Sequence, residues 1–222
     1  MHEGAFCQKN IAFFSPKAID YTWIVMNLVL ASSSPYRRKI LEQLRLPFST
    51  CSPDIDESPK SNENIDQYVS RLALQKAHAV ADRFPDSLII GSDQACHLGG
   101  MPLGKPENLE AALKHLKLCS GTTVEFLTGL ALLNTASGHE QVTTERFRVT
   151  FRHLTDDEIR AYIQLDQPLD CAGSFKVEAA GISLFTAMEG RDYNTLLGLP
   201  MLALVDMLKT EGVNPLLAAA KG

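Results

Sequence analysis

One short segment combines hydroxyl and guanidinium side chains at a spacing that suits a bound phosphate. Residues 28–31 are apolar and predict a strand, and Ser32 and Ser34 come directly after it. Ser34-Pro35 is typical of a helix N-cap and first helical position, with Arg37 in the first turn. Backbone N–H groups, hydroxyls and a guanidinium would then converge at one point, which is how proteins hold phosphates. An ordinary capped helix with solvated arginines explains the same residues equally well.

Two lysines occupy positions that favour contact with an anion. Lys76 falls four residues after Leu72 on the apolar stripe of a helix that we expect to begin after Asn64. A lysine on that stripe either snorkels to the helix edge or points into a cleft. Lys105 comes directly before Pro106, where we expect another helix to begin, and the start of a helix favours anions.

Carboxylates complete the set of candidate site residues. Asp93 comes after the apolar run 88–90, and the crevice beyond a buried strand of an α/β sheet is a common place for ligands. An acidic loop, residues 53–59, contains Glu57. Taken alone, a strand-end carboxylate that caps a turn and a solvated acidic loop are the simpler interpretations.

The elements that must position these residues alternate between strands and helices. Residues 47–51 indicate a short strand, and residues 122–153 an antiparallel hairpin. Capping-box spacings begin helices after Asn64 and Thr155, and a last helix is expected over about 199–212. These patterns predict an α/β fold with a mixed sheet and helices on both faces.

Composition is that of a soluble globular protein with one domain. The chain has 222 residues, of which 45% are hydrophobic and 21% charged. A formal net charge of −5 argues against binding of nucleic acids or membranes by overall electrostatics. The cysteines are odd in number, far apart and lack a C-x-x-C pair, so we expect reduced thiols and a cytoplasmic protein rather than disulfides or structural zinc. They are Cys7, Cys51, Cys96, Cys119 and Cys171.

The first 25 residues differ in character from the remainder of the chain. They lack the ordered regions of a secretory signal, and Met26 directly precedes the first predicted strand. We therefore expect residues 1–25 to be a dispensable extension, with Met26 as the biological start and residues 26–217 as the functional domain. A genuine tail that packs on the domain is the competing interpretation.

Eight short motifs in a fixed order resemble the Maf family of nucleotide pyrophosphatases. The match runs from about Met26 through nearly the whole domain. The motifs are S-x-S-P-x-R at 32–37, the acidic loop ending at Glu57, Q-K-A at 75–77, I-I-G-S-D-Q at 89–94, G-K-P at 104–106, S-G at 120–121, A-G-S-F at 172–175 and G-L-P at 198–200.

This resemblance implies an elongated, two-lobed α/β fold around a mixed twisted sheet with a central cleft, related to the inosine-triphosphate pyrophosphatase architecture. It also implies hydrolysis of a nucleoside triphosphate to the monophosphate and diphosphate with a divalent metal cation, Mg²⁺, Mn²⁺ or Co²⁺. In the family, the aspartate at the Asp93 position is the proton acceptor. The expected partners are a small-molecule nucleotide and a second copy of the chain in a homodimer, without nucleic acid or membrane.

The chemistry of the candidate residues agrees with that implication. Attack of water on a phosphorus needs charge neutralisation on the phosphate oxygens, which Arg37, Lys76 and Lys105 can supply beside the hydroxyls of Ser32 and Ser34. Asp93 and Glu57 are the carboxylates expected near the metal, with Asp54 or Asp56 as further candidates. The sequence leaves open whether Asp93 takes the proton or is a metal ligand that orients hydroxide.

Three positions resemble the subfamily that hydrolyses 7-methylguanosine triphosphate. They are Tyr36, Gln94 and Glu178, where many members have Arg, Thr and Gln. Methylation at N7 makes the purine cationic, which suits the face of an aromatic ring and a nearby carboxylate. If Tyr36 only packs and Glu178 is a surface charge, then thymidine or uridine triphosphate, or a broad range of non-standard triphosphates, is the alternative substrate. A regulator of septum formation that senses a nucleotide without turnover is the alternative outside enzymology.

Overall fold

The computed structural model describes residues 26–220, so the expectation for residues 1–25 lies outside the described part of the chain. The strands are β1 (Asn27–Ala31), β2 (Phe48–Thr50), β3 (Ser87–Leu98), β4 (Met101–Pro102), β5 (Thr123–Asn134), β6 (Glu140–Phe151) and β7 (Phe185–Gly190). The helices are α1 (Pro35–Leu41), α2 (Ile65–Ala81), α3 (Leu109–Cys119), α4 (Asp156–Asp166), α5 (Tyr193–Leu196), α6 (Met201–Thr210) and α7 (Pro215–Ala219).

The strands form one seven-stranded mixed sheet in the order β2-β1-β3-β5-β6-β7, with β4 paired to β3. β1 is parallel to both β2 and β3, whereas the β3–β5, β5–β6 and β6–β7 pairs are antiparallel. The predicted hairpin is confirmed as β5 and β6, with Val124 opposite Val149 and Phe126 opposite Phe147. The predicted α/β class is therefore confirmed.

The two central parallel strands end at different heights, and this offset creates a crevice. β1 pairs with β3 only as far as Ala31, which lies opposite Gly91. Beyond that point β1 turns away through Ser32 into α1, while β3 continues to Leu98 against β5. Asp93 therefore lies on the part of β3 that extends past the end of its parallel neighbour.

Two apolar cores lie along the same face of β3, separated by polar residues. Side chains alternate between the faces of a strand, so Leu88, Ile90, Ser92, Gln94 and Cys96 share one face. The first two belong to a core completed by β1, α1 and α6, and the last to a core built by α3, α4 and β7. Ser92 and Gln94 lie between these cores, where apolar packing is interrupted.

Helix α2 packs on the opposite face of the sheet at very short range. Gly91 on β3 and Gly129 on β5 lie against the α2 backbone, and a Cβ atom on either would overlap the carbonyl oxygen of Ala73 or Val69 respectively. Lys76 follows Ala73 on α2, and Asp93 follows Gly91 on β3. Because Gly91 and Gly129 have no Cβ atom, α2, which carries Lys76, can lie close to β3, which carries Asp93.

Helix starts agree with their predicted caps except at α3. Asn64 and Thr155 form the capping boxes expected for α2 and α4. The predicted start of α3 at Pro106 is wrong, because the Asn108 side chain accepts a hydrogen bond from the Ala111 N–H and the helix begins at Leu109. Among residues 26–220, no helix is both long and apolar enough to cross a membrane.

Gly91→Ala is predicted to destabilise the fold by at least about 2 kcal/mol, because the added methyl group meets backbone that cannot move aside. The midpoint of urea unfolding would measure the loss. Gly104→Ala is the matched control, since no heavy atom lies within 4 Å of its added Cβ. We expect that control to stay within about 0.5 kcal/mol of the original protein. Equal midpoints for the two variants would contradict the close-contact interpretation.

Candidate active site

A cavity of about 460 Å³ opens where β1 ends and β3 continues. The further candidates Asp54 and Asp56 do not line this cavity, but its wall includes the ten other site residues selected from the sequence, which come from six separate stretches of chain. They are Ser32, Ser34, Tyr36, Arg37, Glu57, Lys76, Asp93, Gln94, Lys105 and Glu178. The fold therefore brings all of them to one place.

One end of the cavity carries an ion triad. The Lys76 Nζ lies 2.6 Å from Asp93 Oδ1 and 2.8 Å from Glu57 Oε1. Lys76 and Asp93 are each only 7% exposed, whereas the Glu57 side chain is 55% exposed. Lys76 thus points into the cleft and does not snorkel. Burial raises the pKa of Asp93 above its ordinary value, and the positive charges of Lys76 and Arg37 oppose that shift.

The Arg37 side chain is held in place by a hydrogen bond to a backbone carbonyl. Its Nε donates to the Gly198 oxygen at 2.7 Å, and the Ser92 Oγ lies 2.9 Å from the same oxygen. Gly198 has a φ of +97°, a conformation that favours glycine. The turn that positions this carbonyl therefore depends on glycine at position 198. Within the described part of the chain, the terminal guanidinium nitrogens of Arg37 make no protein hydrogen bond, which leaves them for an anion. Burial lowers the pKa of Arg37, while Asp93 and Glu57 oppose that shift.

The two serines of the β1–α1 turn have their oxygen atoms engaged and their hydroxyl protons available. Ser32 Oγ accepts from the Ser34 N–H at 3.1 Å, and Ser34 Oγ accepts from the Arg37 N–H at 3.3 Å. A hydroxyl can accept and donate at once, so each can still donate to a phosphate oxygen. The second interaction also confirms the predicted N-cap.

Lys105 lies at the rim of the cavity on the loop between β4 and α3, and it is exposed. Because α3 begins at Leu109, Lys105 is not adjacent to a helix start as the sequence suggested. Its contribution to anion binding therefore rests on its ammonium group alone.

The far end of the cavity is formed by Tyr36, Gln94 and Glu178. Tyr36 is half-buried and its hydroxyl donates to Asp170 Oδ2 at 3.0 Å. The Gln94 Nε2 donates to Thr128 Oγ1 at 3.0 Å and to the Thr195 carbonyl at 2.8 Å. Since the amide nitrogen is occupied, the Gln94 oxygen is the group left for a ligand. Glu178 is exposed on the loop before β7.

Several residues that support the site were missed in the sequence. The Tyr68 hydroxyl donates to the Glu57 carbonyl at 3.0 Å. Arg71 forms a two-pronged ion pair with Glu63, at 2.6 and 2.7 Å, and also donates to the Ser58 carbonyl at 3.2 Å, which ties the acidic loop to α2. Neither contact has a sequence signature, because each joins a helix to an irregular loop. Asp170 carried a weak signal, since it comes two residues before the A-G-S-F motif.

The donor groups at the triad suit a magnesium-like cation. Asp93 and Glu57 both reach the same ammonium nitrogen, so their oxygens converge on one point. Among residues 26–220, no cluster of three or more histidine, cysteine or acidic residues has the arrangement of a complete metal site. Mg²⁺ is commonly bound by one or two carboxylates, with substrate phosphates and waters supplying the other ligands. The residues present therefore fit such an ion, which Asp93 and Glu57 would hold.

Lys76→Met is predicted to cost about 3 kcal/mol of unfolding free energy, because it leaves Asp93 buried and unpaired. The 2.6 Å contact between the Lys76 ammonium and Asp93 is the interaction that is lost. Lys117→Met is the matched control, since Lys117 also lies 2.6 Å from a carboxylate, that of Asp156, but is 44% exposed. We expect less than about 1 kcal/mol there. Adding Asp93→Asn to Lys76→Met should restore part of the loss, and no recovery in urea unfolding would contradict the pairing.

Comparison with known proteins places this chain in a family. The chain is 54% identical over 187 residues to a protein from Pseudomonas aeruginosa named 7-methyl-GTP pyrophosphatase, covering 84% of this chain and 97% of that protein. Among solved structures, the Ham1 protein of Staphylococcus aureus aligns with 83% of this chain and 99% of its own, at 14% identity and a TM-score of 0.48. The sequence profile described as Maf-like protein matches residues 27–211. The chain belongs to the Maf-like protein family.

Proposed function

We propose that this chain hydrolyses 7-methyl-GTP to 7-methyl-GMP and diphosphate. The observation that carries the proposal is one cavity with two chemically different ends. Lys76, Asp93 and Glu57 form an ion triad at one end, and Tyr36 and Glu178 lie at the other. The Pseudomonas aeruginosa relative, which is 54% identical, supports the same reaction by its name.

The phosphate end suits attack on the α-phosphorus. Water forms a new bond to that phosphorus, the bond to the oxygen bridging the α- and β-phosphorus breaks, and diphosphate leaves. Asp93 accepts a proton from the water, since it is the buried carboxylate of the cavity wall. Arg37, Lys76 and Lys105 neutralise the phosphate oxygens, because their positive charges surround the same space.

A divalent cation held by Asp93 and Glu57 would add charge neutralisation at the phosphates and lower the pKa of a bound water. Lys76 contacts both carboxylates at present. It thus keeps two negative groups at a short separation that would otherwise be electrostatically unfavourable.

The base end suits a cationic purine. An aromatic face such as that of Tyr36 attracts a cation placed over it by about 0.5 to 2 kcal/mol. The Glu178 carboxylate can accept hydrogen bonds from the guanine N1–H and amino group. The free oxygen of Gln94 adds another acceptor, because its amide nitrogen is used by Thr128 and Thr195. These acceptors match the donor edge of guanine better than the corresponding edge of uracil or thymine, which has a single N–H.

Asp93→Asn is predicted to reduce turnover of 7-methyl-GTP at least about a hundredfold, because it removes the proton acceptor while preserving shape. Release of diphosphate under steady-state conditions measures this. The protein should still fold, which circular dichroism checks. Asp82→Asn is the control, since Asp82 is an exposed aspartate at the end of α2 outside the cavity wall. A folded Asp93→Asn variant with more than a tenth of the original turnover would contradict the assignment.

The substrate assignment is tested by kcat/KM for 7-methyl-GTP, GTP, UTP and dTTP, measured with Mg²⁺, Mn²⁺ or Co²⁺. We expect 7-methyl-GTP to be preferred over GTP, from which it differs by one methyl group and a ring charge. Tyr36→Ala should reduce that preference by up to about thirtyfold, equivalent to about 2 kcal/mol. Glu178→Gln should weaken discrimination in favour of guanine and leave hydrolysis of UTP and dTTP nearly as before. Equal efficiency on all four substrates, or a preference for pyrimidines, would overturn the assignment of the base.

A further inference from the structure

Tyr36 is tied to the opposite side of the cavity by a single carboxylate. Tyr36 belongs to α1, which packs on the core formed with β1 and α6. Its hydroxyl donates at 3.0 Å to Asp170. Asp170 precedes a segment in which Phe175 and Val177 are buried in the other core, with α3, α4 and β7. The hydrogen bond therefore joins segments of the two cores at the cavity wall.

The Asp170 carboxylate is itself held from a second direction. Its Oδ1 lies 3.1 Å from the Lys176 Nζ, while Oδ2 accepts from Tyr36. The Asp170 side chain is 56% exposed, whereas the Lys176 side chain is 23% exposed. Because water competes at such an exposed position, the contact contributes little to folding. Its main physical effect is geometric, since a tyrosine ring anchored at its hydroxyl retains less freedom about its side-chain torsions.

We propose that Asp170 is a positioning residue that holds the Tyr36 ring against the purine and so contributes to selection of a cationic base. This inference rests on the proposed function. Asp170, Tyr36 and Glu178 all belong to the cavity wall. Two carboxylates of the cavity wall, Asp170 and Glu178, can therefore offset the positive charge of 7-methylguanine, and Asp170 also orients the ring that stacks on it.

A double-mutant cycle tests the coupling. Tyr36→Phe keeps the ring and removes the hydroxyl, and Asp170→Ala removes the acceptor. We expect each to raise the KM for 7-methyl-GTP about three- to tenfold, the range for one hydrogen bond, with a smaller change in kcat. The double variant should be no worse than the more severe single variant, because both changes break the same contact. Asp170→Asn retains an acceptor oxygen and should recover most of the KM increase caused by Asp170→Ala.

The matched control is Asp82→Ala, which removes an exposed aspartate outside the cavity. Additive effects of the two substitutions, or an Asp170→Ala variant with a KM within twofold of the original, would overturn the proposal. If Asp170→Ala does not fold, Tyr36→Phe breaks the same bond from the other side, and an unaltered KM there overturns it equally. If the unsubstituted protein prefers another triphosphate, the proposed substrate is wrong. The coupling between Tyr36 and Asp170 is then tested separately by the same double-mutant cycle with that triphosphate.

Discussion

The close contact between α2 and the sheet is the constraint on which the rest of the site depends. Gly91 and Gly129 let the helix backbone approach within a distance that any side chain would prevent. At that separation the Lys76 ammonium reaches Asp93 inside the protein instead of bending toward solvent. An unpaired charge in this position would be strongly unfavourable, so helix position and ion pair depend on each other.

The cavity exists because the sheet does not support one continuous core. On the face of β3 opposite α2, polar residues interrupt the apolar series, and the α5–α6 connection fills part of the gap with backbone. The Gly198 carbonyl in that connection receives both Arg37 and Ser92. The Arg37 and Ser92 side chains thereby give hydrogen bonds to a carbonyl oxygen that would otherwise be buried without a partner. Fold stability and the position of the Arg37 guanidinium thus rest on the same hydrogen bonds.

Much of the fold was predictable because its signals are local. Apolar periodicity and capping boxes predicted α2, α4 and the β5–β6 hairpin, and the ordered motifs predicted which residues share the cavity. Sequence reasoning failed where the determinant is a distant contact. The orientation of Lys76 stayed open between solvent and cleft because only the position of β3 decides it. The start of α3 was misplaced because proline and asparagine both suit a helix start, and the Asn108 cap was the one formed. Asp170 was missed because its partner is 134 positions away.

The residues at the two ends of the cavity differ in how buried they are. Lys76 and Asp93 are buried and coupled to backbone packing, whereas Asp170 and Glu178 are exposed on a loop. Exchanges at the exposed positions cost little folding stability, while exchanges at the buried pair endanger the whole domain. Evolution can therefore alter which base is accepted in small, individually tolerated steps and keep the hydrolytic chemistry intact. Such an arrangement favours divergence of substrate range within one scaffold.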